Sequence, residues 1–179
     1  MNPSAPSIKG LIKLHKPDQP IRPVVNWQNA PAYNLSKLFT NKINYVTPLP
    51  NAFSVSNTTD LIQNLKDTPL LPHFTFASLD ITNLYSNIPV TETKIILTNM
   101  LKQKLVDTQI QQEILMWYDV ITGQNYFANN KDIVTQYDGL AMGAPSSGLI
   151  AKMFLQNIEH LHLAHLTQTQ NHKLLEICR

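Results

Sequence analysis

The sequence predicts an α+β fold, an antiparallel sheet packed on helices and left incomplete at the C-terminus. Two observations carry this. Apolar residues recur at helical spacing in several long runs, while separate short runs rich in branched and aromatic residues read as strands. At 179 residues with 43% apolar side chains, the chain is long enough for one ordinary domain and too apolar to be wholly disordered.

The first 31 residues hold six prolines, Pro3, Pro6, Pro17, Pro20, Pro23 and Pro31. Each removes a backbone donor and holds the chain extended or turning, which excludes long helices. Ile8 to His15 and Ile21 to Trp27 read as strands around the turn-prone Lys16-Pro17-Asp18-Gln19-Pro20 segment, an extended basic hairpin. Ala32 to Ile43 reads as a helix with Leu35, Leu38 and Phe39 inward. Asn57 to Leu65 reads as another on Leu61, Ile62 and Leu65, with Asn57, Thr58 or Thr59 as its cap.

Phe74 to Ile81 predicts a strand, and the asparagines and proline between Thr82 and Pro89 stop it, which leaves Asp80 at a strand end. Thr91 caps a helix to about Leu105 that buries Ile96, Leu97, Met100, Leu101 and Leu105. Ile110, Ile114, Trp117, Tyr118 and Ile121 mark a further helix after Asp107. Two strands between Gln124 and Tyr137 pair across Asn129-Asn130. The segment GLAMGAP, residues 139 to 145, follows. Ser146 or Ser147 then caps a long helix with Leu149, Ile150, Met153, Phe154, Ile158 and Leu161 on its apolar face, fraying by Thr167. Lys173 to Arg179 opens another element that no stop signal closes, and no internal repeat or compositional break divides the chain.

The formal net charge is only +2, but its distribution is uneven. Residues 1 to 45 carry six basic groups (Lys9, Lys13, Lys16, Arg22, Lys37, Lys42) against Asp18 alone, a balance of +5, while eight basic and eleven acidic groups leave the remainder at −3. Such a front can draw a polyanion over a mildly acidic body, or be an unevenly charged surface with no ligand. The single cysteine, Cys178, excludes an internal disulfide framework and a thiolate metal cage, as in a reduced intracellular protein, with nucleus or cytoplasm left open. No run approaches the length of a membrane span and no secretory leader opens the chain, so no membrane partner is expected. The six histidines form no zinc spacing, and phosphate-loop and nucleophile-elbow motifs are absent.

The chemistry-bearing segments are FASLDITNLYSNIP, residues 76 to 89, and the glycine-containing run after residue 138. A strand-end carboxylate such as Asp80 either holds a hard cation with help from a carbonyl, here that of Ile81, or is a hydrogen-bonded turn residue. Tyr85 is a ligand-facing turn residue or ordinary packing. Gly139, Ala141, Gly143 and Ala144 are small enough to admit a ligand to the backbone, as are many tight turns before a capped helix.

Together, FASLDITNLYSNIP and DGLAMGAPSSGLIAKMF (138 to 154) resemble the first two palm motifs of a reverse transcriptase, nearest to the Penelope-like retroelement group. GLIKLHKPDQPIRPVVN, residues 10 to 26, resembles the fingers segment of that group, which usually reads close to GLPKIHKP followed by RPIVS. The resemblance covers essentially the whole chain, with residues 8–73 fingers-like and 74–179 the first half of the palm. It implies that Asp80 binds two magnesium ions with the Ile81 carbonyl and is catalytic. It also implies that Arg22 contacts the incoming triphosphate through its planar fork, with Lys13 and Lys16 as helpers unless they simply face solvent. Tyr85 falls on the aromatic gate that favours deoxynucleotides by excluding a 2′-hydroxyl. Gly139, Ala141, Gly143 and Ala144 fall in the loop that holds the template and nascent base pair.

Departures are specific. Ile12 replaces the usual fingers proline, and Ala144, Ser146 and Gly148 depart from the group's GLAMGSPLSP. The third palm motif, a paired aspartate commonly written RYVDD in this group, has no counterpart: the chain contains no adjacent Asp-Asp pair. The resemblance therefore implies part of an RNA-directed DNA polymerase, acting on RNA template, DNA primer and deoxynucleoside triphosphates once completed, with weak magnesium binding and little activity alone. The alternatives are a noncatalytic nucleic-acid-binding module and an inert retroelement remnant.

Overall fold

A computed structural model describes residues 3–14, 17–50, 54–55, 57–66, 81–168 and 176–177. The elements in chain order are β1 (Ser7–Ile12), β2 (Ile21–Asn26), α1 (Tyr33–Val46), β3 (Ser54–Val55), α2 (Thr58–Lys66), a 3-10 turn (Leu84–Asn87), α3 (Val90–Gln103), α4 (Thr108–Gly123), β4 (Tyr126–Asn129), β5 (Asp132–Thr135), α5 (Ser147–Gln168) and β6 (Glu176–Ile177). The fold class is α+β. The chain divides into two compact units, Met1–Pro48 with Asn83–Ile158, and Leu49–Thr82 with Glu159–Arg179.

In the first unit, β1 and β2 form the expected hairpin, with Leu11 opposite Arg22 and Lys9 opposite Val24. β4 and β5 form the second hairpin, and its turn residue Asn130 takes φ 57°, a left-handed conformation that asparagine tolerates. The two hairpins join through their first strands, giving the order β2-β1-β4-β5. Ser7 pairs with Ala128 in parallel, and the Pro6 carbonyl accepts from the Ala128 N–H at 2.7 Å. The sheet is therefore mixed, not antiparallel throughout. More than a hundred residues, helices included, separate β1 from β4, which is ample for the crossover that parallel neighbours need.

The core of this unit is helical. Phe39 and Ile43 of α1, Leu97 and Leu101 of α3, and Ile114 and Tyr118 of α4 are each at most 1% exposed. Phe39 and Tyr118 meet with ring centroids 6.1 Å apart and planes tilted by 54°, a favoured aromatic geometry. Tyr118 also donates to the Val90 carbonyl at 2.9 Å. α4 starts where the sequence places it, because the Asp107 carboxylate accepts from the Gln109 and Ile110 N–H groups at 2.9 and 3.3 Å, satisfying two orphan donors.

Several periodicity readings shift. α1 buries Ser36, Phe39 and Ile43, whereas Leu38 is exposed; the face turns because Ser36 has a partner in the interior. α3 begins at Val90, so Thr91 lies inside it. It stops at Gln103 because Leu105 takes φ 52° while the Leu105 and Val106 N–H groups donate to the Lys102 and Leu101 carbonyls. This is a Schellman closure, and it leaves Leu105 90% exposed. Leu161 of α5 is likewise exposed. In the second unit, Asn57 is the cap of α2, accepting from the Asp60 N–H at 2.9 Å, and Ile62 faces solvent. β3 and β6 pair in parallel there. The strand expected over residues 74–81 lies, up to residue 80, outside the described residues.

Candidate nucleotide and nucleic-acid site

The segment 139–145 is held on two sides by backbone. On one side, the Val25 N–H of β2 donates to the Met142 carbonyl at 2.8 Å. β2 is an edge strand, so the loop covers groups that would otherwise be free to pair with another chain. On the other side, the Leu140 N–H donates to the Tyr85 carbonyl at 2.7 Å. Val25 of β2, Tyr85 and the loop, far apart in sequence, thus belong to one backbone-bonded arrangement.

Both glycines of the loop answer to this packing. Gly143 has φ 122°, and a Cβ there would run into the Val25 carbonyl oxygen. Gly139 has φ 83°, and a Cβ would stand 2.5 Å from the Ser86 carbonyl oxygen. No other residue type combines these torsions with such close backbone approach. Gly139 and Ala141 are buried, while Gly143 is exposed and Ala144 half-buried. Of the four expected template contacts, Gly143 and Ala144 are thus the more open to solvent. Beneath the loop, Trp27, Ala141, Ala144 and Ile150 help to line a cavity of about 10 Å³, room for about one water and none for a nucleotide.

The loop is aligned at both ends. Asp138 accepts from the Gly139 N–H at 2.7 Å, and Asn125 donates to the Gln136 and Gly139 carbonyls at 3.2 and 3.1 Å. At the far end neither predicted serine turns its hydroxyl to its own helix. Ser147 donates to the Ala141 carbonyl at 2.8 Å, and the Ser146 N–H donates to the Ser36 hydroxyl at 2.9 Å. The capping oxygen for the start of α5 comes from α1.

Arg22 is exposed on β2, and Lys13, just past β1, is half-buried with its N–H donating to the Pro20 carbonyl at 3.0 Å. Residues opposite one another in an antiparallel pair share a face, as do alternate residues along a strand. Lys9, Lys13 and Arg22 accordingly share one face of the hairpin. Lys9 was not among the expected contacts, although its two-residue spacing from Leu11 and Lys13 signals it. Tyr85 is half-buried in the 3-10 turn, which the Ser86 hydroxyl and Asn87 amide tighten by donating to the Asn83 carbonyl. Ile81 is 52% exposed. Asp80 and Lys16 lie outside the described residues.

Among the described residues no three His, Cys, Asp or Glu side chains converge as a metal site, and no helix is long and apolar enough to cross a membrane. Comparison with protein-family models and with curated proteins gives no match.

Proposed function

We propose that the chain is the fingers and first half of the palm of an RNA-directed DNA polymerase of the Penelope-like kind. In the complete enzyme the primer 3′-hydroxyl attacks the α-phosphate of a deoxynucleoside triphosphate, a phosphodiester bond forms and pyrophosphate leaves. The observation that supports this reading best is the convergence on the 139–145 loop, bonded to β2 three residues past Arg22 and to the Tyr85 carbonyl. Arg22 pairs with triphosphate oxygens through its planar fork, Lys13 and Lys16 add positive charge, and the Tyr85 ring tests the sugar. Gly143 and Ala144 meet the templating pair. Asp80 and the Ile81 carbonyl would hold magnesium, which when bound neutralises charge on the nucleophile and leaving group. With no adjacent aspartate pair in its 179 residues, the chain alone incorporates little or no nucleotide.

A noncatalytic module that tracks nucleic-acid backbone is the second reading, favoured by the Lys9, Lys13 and Arg22 face of the hairpin. Triphosphate binding separates the two. On the polymerase reading, a magnesium-loaded deoxynucleotide binds the chain weakly, Arg22→Ala weakens it about tenfold, Asp80→Asn removes the magnesium dependence, and Tyr85→Val erases the preference over the ribonucleotide. Binding indifferent to all three substitutions, beside salt-sensitive binding of primer–template, would establish the second reading instead.

A further inference from the structure

The two edges of the four-stranded sheet differ. β2 carries Pro23 and is covered by the 139–145 loop through the Val25 N–H, whereas no described strand lies beyond β5. Residues 131 to 135 are all exposed, with Ile133 at 62% and Val134 at 40%. From Ile133 to Tyr137 the chain reads IVTQY, without the proline or charge that keeps an open edge from pairing with another chain.

The pairing of β5 with β4 decides which of its backbone groups face outward. Opposite residues of an antiparallel pair alternate between exchanging both N–H···O bonds and exchanging none. The Gln136 N–H donates to the Asn125 carbonyl at 2.7 Å, while the Ala128 N–H turns away from β5 to the Pro6 carbonyl. With Ala128 opposite Ile133 and Phe127 opposite Val134, the residues bonded to β4 are Asp132, Val134 and Gln136. Ile133 and Thr135 direct their N–H and C=O groups to the open edge.

A second copy of the same strand satisfies these groups. Outward residues must meet outward residues, so a two-fold antiparallel pairing centres on a residue and not between two. Centred on Val134, Ile133 faces Thr135 of the second copy and Thr135 faces its Ile133, which makes four N–H···O bonds. Centred on Ile133 or Thr135, the four-residue strands share only two, and the Thr135 centre also sets Asp132 against Asp138. In the Val134 register Asp132 faces Gln136, and Val134 meets its counterpart in a non-hydrogen-bonded pair, where side chains lie closest.

We propose that this edge is a self-association surface: two copies of the chain pair antiparallel through β5 about a two-fold axis at Val134, joining two four-stranded sheets into one. The contact is isologous and closes on itself, so it makes a dimer and no fibre. One short strand from each copy buries less than a standard interface, so the dimer is weak and depends on concentration. The pairing uses none of Arg22, Tyr85 or the 139–145 loop and goes beyond both readings above.

The test is sedimentation velocity of the whole chain over a concentration series, with its one cysteine removed as Cys178→Ser. Monomer passes to dimer and to nothing larger. Val134→Lys and Val134→Glu each put like charges on the axis and keep the chain monomeric, while an equimolar mixture of the two restores the dimer. Thr135→Pro removes an N–H that β4 does not use, so the strand survives and association weakens about 10- to 100-fold. Val134→Cys crosslinks on mild oxidation, because counterparts on the axis lie within disulfide reach, and Asp132→Cys does not. A chain monomeric at every concentration, a dimer that Val134→Lys leaves intact, or equal crosslinking from positions 132 and 134 would overturn the proposal. Should the lysine or proline variant unfold, the crosslinking pair decides alone.

Discussion

Ser36 of α1 and Ser146 at the head of α5 exchange two hydrogen bonds across 110 positions of sequence. The Ser36 hydroxyl donates to the Ser146 hydroxyl at 2.8 Å and accepts from the Ser146 N–H at 2.9 Å. Both residues are fully buried. The pair fixes the exit of the 139–145 loop, because it satisfies an orphan donor at the helix start where no water reaches.

Ser36→Ala therefore strands the Ser146 N–H in the interior and costs about 1–3 kcal/mol. Ser146→Ala keeps the N–H bond and costs less, about 1 kcal/mol. Urea denaturation of the two single variants and the double variant checks this, with coupling of at least about 0.5 kcal/mol expected between neighbours in one network.

The loop glycines separate from a helical one. Gly143→Ala meets the Val25 carbonyl and a forbidden torsion, so the backbone conformation alone costs about 1–3 kcal/mol and the edge of β2 opens. At Gly148 an added Cβ meets nothing within 4 Å, and Gly148→Ala in the first turn of α5 stabilises by about 0.5–1 kcal/mol. Opposite shifts in the urea midpoint are the expected result.

Leu105 closes α3 in a left-handed conformation while its side chain is exposed. Leu105→Gly relieves the torsion and removes no buried contact, so it raises stability by about 1 kcal/mol. A thermal melt that moves downward would contradict the Schellman geometry.

Burial pushes the Tyr118 phenol well above its usual range, with a smaller opposing effect from Thr93. The folded state thus holds the proton that the unfolded chain releases near pH 10. The contribution of Tyr118 is intact below that pH and declines above it, by up to about 1.4 kcal/mol per pH unit. Tyr118→Phe gives up the bond to Val90 and is less stable near neutrality, but shows a shallower loss between about pH 10 and 11. Parallel pH profiles of the two proteins would refute this.

Local chemistry determined much of this protein. Prolines and branched residues specify the basic hairpin, Asp107 and Asn57 cap the helices they precede, and Ile114, Tyr118 and Ile121 mark the buried stripe of α4, because each signal acts within a few residues of its effect. Only the tertiary structure decided the parallel junction of β1 with β4, the inward turn of Ser36 over Leu38, and the crowding that makes Gly139 and Gly143 obligatory. These depend on partners between roughly fifty and a hundred and twenty positions away, and no periodicity or spacing encodes a neighbour that arrives only when the chain has closed on itself.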